Sequence, residues 1–477
     1  MYNLIIYLYL LGVAIYSRFN EKVRKMWRGE RDAFRVLREQ VDPEARYVWF
    51  HAASLGEFEQ GRPLMEELRR RRPELKILLT FFSPSGYEVR KNYEGADIVC
   101  YLPLDTRRNA QQFLRLIRPE MAFFIKYEFW YNYLHILKHR GVPVYSVSSI
   151  FREGQVFFHW YGRQYGRVLK CFTHFYVQNE KSREMLKTIG IDNVTVTGDT
   201  RFDRVLQIKE AAPLSAPEGD TIDKFLHCKT IEAPSGAVGG ASSSGAVGGA
   251  SSSEAVGGAN TSGASHVFVA GSSWPPDEEI FIRYFREHPE WQLIIAPHVI
   301  GEDHLQQIEK MLEGWKVVRY TKEAPPSSSE GDTIASTASN TIEAPSGAVG
   351  GALPSGALPS KSSALLIDCF GLLSSLYRYA DVTYVGGGFG VGIHNVLEAA
   401  VWGKPVIFGP NNHKFQEAQG LKQCGGGLEI TSYDDFARIM DNFNAHPQHI
   451  EQAGRQAEAY VASLAGATNH ILNDVLK

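Results

Sequence analysis

Cysteine is scarce in this 477-residue chain, and Cys100, Cys171, Cys228, Cys369 and Cys424 stand far apart with no CxxC pair among them. That spacing excludes a disulfide framework and a zinc site, and predicts unpaired thiols in a reducing compartment. An excess of either charge is missing too: 50 Lys and Arg against 53 Asp and Glu leave a formal net charge of −3. A dedicated nucleic-acid binder would show a strongly basic domain, so nucleic acid is not an expected partner. The charge-free N-terminal stretch MYNLIIYLYLLGVAIYS is short, and Arg18, Lys22, Arg24, Lys25, Arg28 and Arg31 follow it. A secretory signal carries its positive charges before the apolar run, the reverse of this order. The run is marginal against the ~20 apolar residues that cross a bilayer comfortably. The expectation is a membrane anchor and basic flank over 1–30, with the remainder of the chain cytoplasmic. A buried N-terminal helix is the alternative.

What is present in normal measure is apolar content, 44%, with 22% charged residues, the composition of a folded globular protein. From Tyr47 to about Asp203, short apolar runs (YVWFHA, KILLTFF, DIVCYLP, MAFFIKY, VPVYSVSS, HFYVQN) alternate with amphipathic stretches. A second series follows: HVFVAGSS, WQLIIAPH, ALLIDC, VTYVGGG, KPVIFGP. Apolar β runs alternating with helices predict βαβ units on parallel, doubly covered sheets. The fold class is therefore α/β, with two Rossmann-like lobes over 31–205 and 206–477 facing a central cleft. Two Gly, Ala, Ser and Pro-rich segments, 230–264 and 325–362, share TIEAPSGAVGGA and read as disordered insertions that carry no chemistry.

Chemistry concentrates where strands end. In VGGGFGVGIHNVLEAA a strand runs into a glycine-rich turn at Gly387 and Gly388, then a helix opening near His394 and Asn395. Glycines allow close backbone approach, and a helix N-terminus offers free N–H groups to an anion. Glu398 follows His394 by one helical turn, where a carboxylate accepts from both hydroxyls of a ribose; together they suggest a nucleotide-sugar site. Gly271, Ser272 and Ser273 offer small groups and hydroxyls to a phosphate before the acidic helix start Asp277-Glu278, which also fits an ordinary N-cap. Pro297 and His298 close another strand at the same edge. In the first series, Lys126 and Glu128 sit at a strand end, where charges are costly to bury unpaired. Glu57 lies on the first helical turn after YVWFHA. It suits a general base, or a glutamate favoured only by the helix dipole, with burial and dipole moving its pKa in opposite directions.

Taken in order, HAASLGE, FFSPSGYE, LPLDT, KYEFW, TGDTRFD, AGSSW, IDCFG, HNVLEAA and GPNNHKFQEA resemble the 3-deoxy-D-manno-oct-2-ulosonic acid (Kdo) transferases of lipopolysaccharide assembly. The resemblance covers nearly the whole chain outside the two insertions. It implies a membrane-anchored, inverting GT-B glycosyltransferase at the cytoplasmic face of the inner membrane. Kdo passes from CMP-Kdo, a co-substrate, to the 6′-hydroxyl of a lipid A precursor; no metal or other cofactor is implied. Glu57 matches the catalytic base and Glu128 another active-site glutamate; the loops Gly271–Ser273 and Gly387–Glu398 match those that hold CMP-Kdo. The chain departs from the family at Ala296-Pro297-His298, where many members have arginine in the place of His298, and at Leu372, where glutamate is frequent. The expected partners are CMP-Kdo, the lipid A precursor and the inner-membrane lipid surface. Outside this family, another nucleotide-sugar transferase or epimerase, or a silent nucleotide-binding scaffold, would carry the same glycine-rich loop.

Overall fold

The computed structural model describes residues 2–211, 216–227, 266–323 and 363–477; both low-complexity segments lie outside them. The described residues form two units.

The first unit holds strands β1 Tyr47–His51, β2 Lys76–Phe81, β3 Ile98–Tyr101, β4 Met121–Ile125, β5 Val144–Ser149, β6 His174–Val177 and β7 Val194–Val196. They form one parallel sheet in the order β3-β2-β1-β4-β5-β6-β7. Its central strands are near-continuous apolar runs because helices cover both faces. Phe50, Leu79 and Phe123 pack under the helix Leu55–Arg71, while Trp49, Leu78 and Phe124 pack with Phe113 and Tyr133. The expected C-terminal body 206–477 is corrected at its end: residues 461–477 belong to the first unit. There Ile471 and Leu472 join the core of Phe58 and Leu64, and Asp203 accepts from Thr468 N–H at 2.7 Å.

The second unit holds β8 Val267–Ser273, β9 Gln292–Pro297, β10 Lys316–Arg319, β11 Ser363–Leu366, β12 Val382–Val385, β13 Val406–Phe408 and β14 Gly427–Glu429. Its parallel order is β10-β11-β9-β8-β12-β13-β14. In both sheets the order reverses beside the unit's first strand, which opens a crevice at the carboxyl edge.

β7, β10 and β14 are additions to the sequence expectation. All three are edge strands with half-exposed residues, so they lack the apolar continuity by which the central strands announce themselves.

The helix Tyr2–Tyr16 has 15 residues, of which only Val13 is buried; Leu8 is 60% and Leu11 59% exposed. The alternative of a buried N-terminal helix is thereby corrected. No helix among the described residues is long and apolar enough to cross a membrane. The arginine cluster 69–72 is engaged in ion pairs: Arg69 with Asp97, Arg70 and Arg71 with Glu67, Arg72 with Glu74.

Candidate functional site

In the first unit, β1 stops at small residues and Ser54 opens the next helix. Ser54 N–H donates to Glu57 Oε2 at 3.1 Å, which turns the glutamate back over the strand end. Burial pushes the Glu57 carboxyl up to about 7, and the Glu128 charge adds to the rise. The N–H groups of Ala53 and Ser54 and the Lys126 ammonium oppose it. Burial and a like charge therefore outweigh the helix N-terminus. A carboxylate poised there is matched to proton abstraction near neutral pH.

Glu128 reaches Glu57 through an irregular strand end. Lys126, the residue after β4, has φ +63°, a left-handed conformation that costs a side-chain-bearing residue about 1 kcal/mol or more. Strand β5 holds it there, since Lys126 N–H donates to Val147 O at 2.9 Å and its carbonyl accepts from Ser149 Oγ at 3.0 Å. Glu128 Oε2 accepts from Trp130 Nε1 at 2.7 Å and lies 3.3 Å from His51 Nε2. Trp130 is thus a polar partner of Glu128, and neither it nor His51 nor Thr80 carries a signal of this role in the sequence. The His51 contacts join residues 29 and 77 apart in the chain, a separation no local pattern reports.

In the second unit β8 continues, with an irregularity, through Gly271, Ser272 and Ser273, so these residues are strand and not turn. Ser272 has φ +52° at a register shift. Ser273 is fully buried and donates to Glu278 Oε1 at 2.7 Å, so its hydroxyl faces the interior. Asp277 organises the glycine-rich loop. Its Oδ2 accepts from Trp274 N–H at 2.9 Å and Gly387 N–H at 3.0 Å, and its Oδ1 from Tyr384 OH at 2.7 Å. Gly387 has φ +93°, and a Cβ on it would lie 2.5 Å from Gly392 O. A Cβ on Gly388 would lie 2.5 Å from the Gly409 backbone. Trp274, Phe389 and Val391 line a small apolar pocket over Gly387 and Gly390.

The helix expected to open near His394 begins only at Leu397 and ends at Ala400. His394 precedes it, so His394 and Glu398 do not share a helical face, and the loop rather than a helix dipole must supply any anion contact. Asn395 takes the expected place: its Nδ2 donates to Glu398 Oε1 at 2.9 Å, while Ser374 Oγ donates to Oε2 at 2.7 Å. His394 Nε2 accepts from Trp274 Nε1 at 3.2 Å, which places the ring proton on Nδ1. Its ring stacks on His298 with centroids 4.2 Å apart, and His298, following Pro297, stacks on Trp274 at 4.9 Å. Burial, helped by His298, brings His394 down to about 4, and burial lowers His298. Both rings are neutral near pH 7. The structure thus brings Gly271, Ser272, Pro297, His298, Gly387, Gly388, His394, Asn395 and Glu398 to one sheet edge of the second unit, and Glu57 and Glu128 to one edge of the first.

Residues 24–204 match the family model described as 3-Deoxy-D-manno-octulosonic-acid transferase (kdotransferase). The chain is 24% identical over 419 residues to the 3-deoxy-D-manno-octulosonic acid transferase of Aquifex aeolicus, covering 86% of this chain and 90% of that protein. The transferase of the same name from Chlamydia trachomatis serovar D is 24% identical over 436 residues, covering 88% and 84%. The chain is similar to Kdo transferases over most of its length. Among solved structures, a UDP-GlcNAc 2-epimerase from Neisseria meningitidis bound to UDP-GlcNAc is similar with a TM-score of 0.54. It covers 90% of this chain and 99% of the epimerase at 13% identity, a likeness of fold alone. The match to the Kdo transferase model takes in β1 to β7 and both Glu57 and Glu128.

If Glu57 serves as a general base, its ionisation sets the acid side of an activity profile: turnover should rise with pH through about 7 and level off above it. A profile of initial rate from pH 5 to 9 in one mixed buffer checks this; an acid limb centred below pH 5 would contradict the half-buried, charge-coupled carboxyl.

Proposed function

We propose that this chain is an inverting glycosyltransferase of the GT-B type that moves Kdo from CMP-Kdo to the 6′-hydroxyl of a lipid A precursor. The observation that carries the reading is Glu57, half-buried at the carboxyl end of β1 with its pKa raised to about 7. The acceptor hydroxyl gives its proton to the Glu57 carboxylate as its oxygen forms a bond to the anomeric carbon of Kdo. The bond from that carbon to the CMP phosphate oxygen breaks, and the electron pair leaves with CMP. In the second unit the Gly387 and Gly388 backbone lets a phosphate approach closely. Glu398, held in place by Asn395 and Ser374, presents a carboxylate at this edge, the kind of acceptor that ribose hydroxyls take. No step calls for a metal, so saturating EDTA is expected to leave CMP release unchanged; a loss restored by a divalent cation would refute this part.

The acceptor is an acylated lipid, and the exposed apolar helix Tyr2–Tyr16 supports work at the cytoplasmic face of the inner membrane. At 15 residues it is about 22 Å long against a hydrocarbon core of about 30 Å, which suits a helix embedded in one leaflet. The test of the whole reading is mass spectrometry of the lipid product after incubation with CMP-Kdo and a tetra-acylated lipid A precursor. A mass gain of one or more Kdo units is expected, with UDP-sugars inert. Unchanged lipid with CMP-Kdo, or transfer from a UDP-sugar, would overturn it.

A further inference from the structure

His51 is the last residue of β1, fully buried, and both its ring nitrogens face polar atoms. Nδ1 lies 2.9 Å from Thr80 Oγ1 and Nε2 lies 3.3 Å from Glu128 Oε2. The protons of this chain can be assigned in order. Trp49 Nε1 can only donate, and it does so to Thr80 Oγ1 at 2.8 Å. Thr80 has a single hydroxyl proton and two acceptors within reach, His51 Nδ1 at 2.9 Å and Phe50 O at 3.3 Å. The shorter contact takes it, which makes Nδ1 an acceptor and leaves the ring proton on Nε2, directed at Glu128. The indole of Trp130 donates to the same Glu128 oxygen at 2.7 Å. That oxygen therefore receives two donors, and hydrogen bonds to a carboxylate are the stronger kind.

We propose that His51 is a positioning residue: pinned by Trp49 and Thr80, it donates from Nε2 to Glu128 and holds that carboxylate beside Glu57. The consequence is electrostatic. A fixed negative charge disfavours a second one nearby, so the ionised Glu128 makes Glu57 a stronger base. The groups facing Glu57 are Glu128, which raises its proton affinity, the Lys126 ammonium, which lowers it, and Tyr127; Glu128 in turn faces His51 and Tyr165. The relay rests on the reading of Glu57 as the base of Kdo transfer, and its test has one arm that does not depend on turnover.

The first arm is NMR on the full chain with 15N-labelled histidine and 13C-carboxyl-labelled glutamate. His51 should show a neutral ring protonated at Nε2, and the Glu57 carboxyl should titrate near neutrality. In Thr80→Val and in His51→Leu the Glu57 titration is expected to move down by about one unit, a tenfold change in proton affinity. Glu128→Gln, which removes the charge outright, sets the full size of that shift. The second arm is CMP release: the acid limb should move with the titration, and kcat at pH 8 should fall about tenfold while KM for CMP-Kdo stays constant. His51→Gln, whose amide N–H reaches toward the place of Nε2, should recover most of the loss. The nearly isosteric Thr80→Val covers the case in which His51→Leu does not fold. A His51 ring protonated at Nδ1, or folded variants with the wild-type Glu57 titration, would overturn the relay. Absence of wild-type turnover with an intact titration shift would refute the transferase reading and leave the relay standing.

Discussion

Replacing Glu57 by Gln is expected to lower kcat for Kdo transfer by about three orders of magnitude, the middle of the range for losing a general base. Gln keeps the volume of the side chain and can still accept from Ser54 N–H, so the helix start at Leu55 is retained. The loss should fall on kcat, with the KM for CMP-Kdo nearly unchanged, because Glu57 belongs to the first unit and the proposed donor contacts to the second. Stability should move the other way. The folded-state pKa of Glu57 lies near 7, above the ~4.3 of an unfolded glutamate. Between about pH 4.3 and 7 the native state holds a proton that the unfolded chain has released, so stability falls across that window and the penalty is complete above about 7. The Gln variant should consequently melt no lower than wild type at pH 8 while it turns over almost nothing. Calorimetry together with a CMP-release assay reads both quantities, and a variant with more than a tenth of wild-type kcat would remove Glu57 from its proposed role.

The second large effect is expected at Asp277→Ala. Three donors converge on this carboxylate: the N–H groups of Trp274 and Gly387 and the hydroxyl of Tyr384. Truncation strands all three in a buried site, and unsatisfied buried groups cost about 1–3 kcal/mol each. Water entering the space vacated by the side chain offsets part of that, so a loss of about 3–5 kcal/mol is expected. The glycine-rich loop then loses the anchor that holds Gly387 at its positive φ. Urea denaturation of the full chain measures the first effect, and titration calorimetry with CMP the second, where affinity should fall at least about tenfold. Asp277→Asn keeps one acceptor oxygen and should be the milder variant. Wild-type affinity for CMP in a folded Ala variant would show that the loop does not form the nucleotide site.

Glu57 and Asp277 differ in how far the sequence discloses them. Glu57 is legible because it follows an apolar run that ends at small residues, a pattern confined to about ten positions. Asp277 looks like an ordinary acidic residue in the first turn of a helix, and its service to Tyr384 and Gly387 depends on β12 lying beside β8. The two sheets were readable from runs such as KILLTFF and MAFFIKY, buried on both faces. Val194–Val196 and Gly427–Glu429 were not, being edge strands with too few residues for a period to emerge. The opening of the helix at Leu397 rather than at His394 also escaped notice. The stretch VLEAA has helical composition, while the bond from His394 N–H to Gly386 O at 3.1 Å, with Trp274 and His298 on the His394 ring, keeps the residues before it in the loop. His51 illustrates the same limit at the site itself, since a histidine inside an apolar run has the look of core until Thr80 and Glu128 are placed around it.

The return of residues 461–477 to the first unit bears on how the protein is made. Ile471 and Leu472 belong to the same core cluster as Phe58, which sits one position after Glu57. Arg71 and Tyr176 donate to Asn469 and Asp474 at 2.6 and 2.7 Å. As the chain leaves the ribosome, these partners appear only after the second unit. The first unit thus completes its core around Phe58, next to Glu57, only once the second unit has been synthesised.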